Sequence, residues 1–151
     1  MFAAYRDTGY SIVLFLHIAT IIIALAGAVA HPLLFNLERR RADGDIAALA
    51  QRIEVPSRIY SIAYVVAGIV GFGLVSMGEL PWGDAWLWVS ILLWVASTGV
   101  LHGALLPAER ALARGDEAAW SKVDLFGKII TVMIVVTLFL MTVKPGSTAA
   151  L

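Results

Sequence analysis

The chain has 151 residues, of which 60% are hydrophobic and 15% charged, and its formal net charge is zero. The mean hydropathy is +0.87. Soluble domains are about 45–50% apolar and about 25% charged, and one of this size has no core large enough for such an excess. A water-soluble enzyme, a disordered tail and a collagen-like chain are therefore excluded, the neutral balance speaks against nucleic acid as a partner, and the absence of cysteine removes disulfides, iron–sulfur clusters and thiolate metal sites.

Four apolar stretches succeed one another along the chain, at about Tyr10–Phe35, Ile59–Met77, Trp86–Leu106 and Leu125–Val143. Each reaches the roughly 17–25 residues that a membrane helix needs, and none alternates with period two, which argues against a β-barrel. The first is too long for a signal-peptide core and no small-residue cleavage pattern comes after it, so it is expected to remain in the mature protein. The expected fold class is all-α: a single transmembrane domain, an integral membrane four-helix bundle.

Basic residues orient the bundle. Arg39, Arg40, Arg41, Arg52 and Arg58 flank the first loop and Arg110, Arg114, Lys122 and Lys128 the third. The termini hold only Arg6 and Lys144, and the second loop has Glu79 and Asp84 but no Lys or Arg. Nine basic residues against two put loops one and three in the cytoplasm and both termini outside, in an inner (plasma) membrane. Trp82, Trp86 and Trp88 then fall at the outer interface, where indole rings collect.

An internal duplication is visible at a shift of 71 residues. His31, Leu34, Glu38, Arg39 and Ala42 fall on His102, Leu105, Glu109, Arg110 and Ala113, and Gly44-Asp45 falls on Gly115-Asp116. Both copies cross in the same direction, so the expected bundle consists of two tandem parallel two-helix repeats, with His31 and His102 at one depth. Each Gly-Asp pair is read as a turn and N-cap for a short amphipathic helix.

All three histidines lie inside expected spans, and intramembrane ionisable groups default to functional hypotheses. Two imidazoles at one depth on two helices suit the axial positions of a haem iron. His31 and His102 are therefore the candidate ligands of a haem b or porphyrin serving electron transfer or redox chemistry, and His17 marks a second level near the outer face. The alternative is an accessory membrane subunit in which Gly99-x-x-x-Gly103 packs helices and His31 answers the carbonyl that Pro32 frees. A small transporter is the third reading. Apart from the bilayer lipid, the expected partners are other membrane proteins or further copies of the chain. No Ser-His-Asp grouping, zinc-ligand spacing or phosphate loop stands out.

The order Leu16-His17, Ala26-Gly27, Pro32, Leu34-Phe35 resembles the first helix of HemJ-type protoporphyrinogen oxidases. It is also similar to the helical domain of CopD-type proteins and to small four-span families of unknown function. The HemJ resemblance implies a haem associated with the bundle and an essential first-helix histidine, a role that carries over to His17. Leu33 and Ala24 stand where the HemJ pattern has arginine and tryptophan, and the third stretch lacks its lysine.

Overall fold

The computed structural model describes residues 8–148. They form α1 (Thr8–Arg40), α2 (Ile46–Arg52), α3 (Glu54–Met77), α4 (Ala85–Val100), a π-helical turn (Leu101–Leu105), α5 (Leu106–Ala113), a 3-10 turn (Glu117–Ala119) and α6 (Trp120–Val143). α4, the π turn and α5 run on as one span, Ala85–Ala113. This span, α1, α3 and the segment Glu117–Val143 are each long and apolar enough to cross a membrane. The protein is an all-helical integral membrane protein, and among the described residues it has no strand.

The outward faces explain the composition. Ile12, Phe15, Ile22, Ile69, Leu92 and Val132 are exposed over more than half of their surface. In water such a belt would be an aggregation liability; in lipid it is the solvent-facing surface. The inward faces carry small residues. α1 buries Ala24, Ala28, His31 and Phe35, a stripe at helical spacing, and it packs chiefly against α3, while α4 packs chiefly against α6. Close approach depends on particular glycines. A Cβ at Gly27 would run into Tyr60, and one at Gly68 would run into the Trp94 ring.

At the basic end the helices extend past the apolar stretches, to Arg40 in α1 and Ala113 in α5, and a capped turn opens the next segment. Asp45 caps α2 by accepting from the Ala48 amide at 2.9 Å, and Asp116 accepts from the Ala118 amide at 3.1 Å. Both Gly-Asp pairs thus work as turns and caps, although the second opens a 3-10 turn rather than a separate helix. Gln51 Nε2 donates to the Ala113 carbonyl at 2.8 Å, which ties α2 to the end of α5. Arg39 lies over the Trp120 ring at 4.7 Å.

Two prolines remove backbone donors past the first turn of a span, and each loss is met differently. Pro32 leaves the Ala28 carbonyl without its helical partner. Thr131 of α6 supplies the replacement, its Oγ1 lying 2.7 Å from that oxygen. This corrects the expectation that His31 would do so. Gly127 of α6 makes the approach possible, since a Cβ there would sit 3.2 Å from Pro32 Cγ. Pro107 sits at the start of α5, and just before it the chain widens into the π turn, closed by the Leu106 amide on the Leu101 carbonyl.

The opposite end is closed by Asp84. Its carboxylate accepts from Thr148 Oγ1 at 2.7 Å, the Thr148 amide at 3.0 Å, Trp86 Nε1 at 3.0 Å and Ser147 Oγ at 3.2 Å. Trp86 is consequently buried, with Lys144 5.5 Å from its ring centre. Only Trp82 and Trp88 of the expected belt remain at the surface, where Trp88 Nε1 donates to the Trp82 carbonyl.

The hydrogen bond from Thr148, along with those from Trp86 and Ser147, holds the Asp84 carboxyl below the usual carboxylate range despite its burial. A depressed folded-state pKa means that the clasp stabilises fully above the ordinary carboxylate value. The contribution is lost as pH falls through the lower, folded value. A spin label on Pro145→Cys should therefore be restrained at neutral pH and freed in acid. In Asp84→Asn it should be freer at neutral pH already. Equal mobility in both proteins at all pH values would remove the clasp.

Candidate functional site

Three inward stripes meet near the basic end. α1 brings His31, α3 brings Ser57 beside Tyr60, Ser61 and Tyr64, and α5 brings Glu109 between Leu106 and Leu112. His31, Ser57 and Glu109 are only 5%, 3% and 5% exposed. Ser57 Oγ donates to Glu109 Oε2 at 2.7 Å. A hydroxyl has a single proton, so Ser57 Oγ accepts in its contact with His31 Nδ1 at 3.2 Å. With Glu109 ionised, Nδ1 therefore carries hydrogen, and it also lies 3.6 Å from Glu109 Oε1. The Tyr60 ring meets the imidazole edge-on, 4.8 Å between centres and at 88°.

The direction of these bonds decides what the group can do. In a nucleophilic triad the serine donates to the imidazole, which removes its proton. Here the serine donates to the carboxylate, so Ser57 is not an activated nucleophile. The arrangement instead links two protonatable groups through one hydroxyl. A buried carboxylate or imidazolium is costly without such partners.

The three sequence-predicted histidines stand in three different settings. His31 belongs to the buried group. His102 lies in the π turn, is exposed, and lines a cavity of about 260 Å³ that also touches Ser57 and Glu109. Among the described residues no hydrogen bond or ring contact joins His31 to His102. Gly99 and Gly103, read as a packing pair, have nothing within 4 Å of a Cβ position and so face away from the rest of the chain. His17 is half-buried farther along α1, and its Nδ1 lies 2.8 Å from the Ala67 carbonyl. It borders an apolar groove of about 70 Å³ that includes Gly68, Gly71, Trp94 and Met141. Among the described residues no group of three or more His, Cys, Asp or Glu is placed to hold a metal ion.

Ser57 and Glu109 are the functional candidates that the sequence pattern does not single out. The repeat pairs Glu109 with Glu38 as a charge at a helix exit. Glu38 does behave that way, accepting from the Asp45 amide at 3.0 Å and facing Arg41 at 3.6 Å. Glu109 turns inward instead. The buried leucines Leu105, Leu106 and Leu112 around it are the one signal that could have found it. Comparison with known proteins brings no match: no family model, no curated protein and no solved structure is similar to the chain.

Removing one member strands the others. Glu109→Ala should destabilise the bundle by about 1–3 kcal/mol, the cost of a buried donor left without its partner. Glu109→Gln, which keeps an acceptor for Ser57, should cost less. His31→Ala combined with Glu109→Ala should fall short of additivity by about 0.5–3 kcal/mol. Reversible unfolding in mixed micelles measures all of these, and strict additivity would mean that the two side chains do not interact.

Proposed function

We propose that this is an inner-membrane protein with its basic loops in the cytoplasm and both termini outside, and that its working centre is His31–Ser57–Glu109, a proton-binding group set within the bundle. The reading rests on one observation: two ionisable side chains, both about 95% buried, are joined through a single hydroxyl inside a membrane-spanning bundle. Such groups inside membranes mark proton relays and substrate paths. One proton more or less on the pair changes its charge by one unit at a place where charge is costly. The packing of α1, α3 and α5 around it then responds to protonation. This belongs with the transporter-like reading of the histidines.

A second reading keeps the haem b or porphyrin of an electron-transfer protein, and moves it to His17. Its support is the Nδ1 contact with the Ala67 carbonyl. A metal-ligating histidine has this arrangement, with one nitrogen held by a carbonyl and Nε2 left for the metal. The donor fits an axial ligand; the groove beside it, at about 70 Å³, is too small for the macrocycle.

Infrared difference spectra in lipid nanodiscs, taken across about pH 4–9 where carboxylates and imidazoles titrate, test the first reading. A carboxyl band of the wild type should vanish in Glu109→Gln and shift in Ser57→Ala. Identical spectra for wild type and Glu109→Gln would end it. For the second reading, protein produced with ample haem should show a Soret band that changes in His17→Ala; its absence would end that reading.

A further inference from the structure

A cavity of about 260 Å³ lies between the start of α3 and the span Ala85–Ala113. Its floor is the centre itself, since Ser57 and Glu109 both line it. Glu54, Arg58, His102 and Arg110, all exposed, line it as well. Water occupies about 30 Å³ per molecule in the liquid, so the space holds several waters. It also offers each of them hydroxyl, carboxylate, imidazole or guanidinium partners. A polar, roomy cavity of this kind is where buried water is found.

Beyond the centre the bundle is closed. Leu101 and Ile130 are fully buried, and Ala24, Ala28, Tyr64 and Ile134 are at most 5% exposed. Farther along, Tyr64 OH bonds to Ser97 Oγ and Ser90 Oγ donates to the Trp86 carbonyl at 2.7 Å, while the buried Thr98 Oγ1 has no hydrogen-bond partner among the described residues. The π turn falls at this boundary. Its wider winding rotates α5 relative to α4; His102 lies within the turn and is exposed, and Glu109 lies about one turn beyond it and is buried.

We propose that this cavity is a hydrated vestibule that delivers protons to the His31–Ser57–Glu109 centre from the basic face alone, with His102 as the imidazole on its wall. The inference rests on the proton-binding reading of that centre. The charged and titratable groups that face the path are Glu54 and Arg58 of α3 and His102, Glu109 and Arg110 of the third span, with His31 of α1 behind Ser57. A proton arriving on vestibule water passes to the Glu109 carboxylate and returns to water by the same route.

The absence of native cysteine gives the test a silent background. Single-cysteine proteins in sealed vesicles are treated with a charged, membrane-impermeant thiol reagent from either face. Asp43→Cys identifies the basic face and Pro145→Cys the other. His102→Cys should react from the face that labels Asp43→Cys and not from the other. Leu33→Cys should stay unreactive from both, although Leu33 is six residues from Arg39 whereas His102 is eight from Arg110. Leu33 is exposed on the outside of α1, so reactivity would then track the cavity and not depth. Ile62→Cys, also on the lining, replaces His102→Cys should that variant not fold. Three results would overturn the proposal: no labelling of either lining position, labelling from the opposite face, or Leu33→Cys reacting equally well. Labelling reports water and not titration, so a dry vestibule and a centre that binds no proton are separate failures.

Discussion

A carboxylate buried inside a membrane bundle must be answered by donors on the spot, because lipid supplies none. Glu109 is answered by Ser57 and faces the Nδ1 of His31. That requirement ties three helices together at one level. Ser57 has to sit on the inward stripe of α3, His31 has to continue the stripe of Ala28 on α1, and α5 has to enter the bundle with Glu109 facing in. The small residues around them reflect the same demand, since Gly27 lets Tyr60 close against α1 and so brings its ring onto the imidazole.

The prolines obey the same constraint. Each removes a backbone hydrogen-bond donor inside a span. At Pro32 the repair comes from outside the helix, through Thr131 and the close approach that Gly127 permits. Near Pro107 the chain itself changes, widening into a π turn. At a shift of 71 the prolines do not correspond, since Pro32 falls on Gly103 and Asn36 on Pro107, so the two halves depart from one another here. Their histidines and glutamates consequently diverge: His31 and Glu109 go inside, while Glu38 remains an end-of-helix charge and His102 lines a cavity.

Much of the fold was legible in the sequence, because apolar length is the strongest signal a membrane protein carries. Four spans, a helical connector after the first, and caps at Asp45 and Asp116 all come from residues that act locally. The site was harder. Its members come from three helices and lie 26 and 52 residues from Ser57, so no local spacing displays them. Glu109 sits in a Glu-Arg pair that resembles an ordinary basic helix end, and matching it to Glu38 hid the difference. Ser57 lies among interface charges, between Glu54 and Arg58. The similarity of the histidines to an axial ligand pair was a statement about types and depth; facing depends on how the π turn rotates the helix.

The central claim is that His31, Ser57 and Glu109 form one hydrogen-bonded unit within the membrane. Solid-state NMR of protein labelled with nitrogen-15 in its histidine rings tests it directly, with the three imidazoles assigned by single replacements. The account predicts that the Nδ1 of His31 carries hydrogen in a hydrogen bond and that its resonance moves in both Ser57→Ala and Glu109→Gln, while those of His17 stay in place. A His31 resonance unchanged by both substitutions would contradict it.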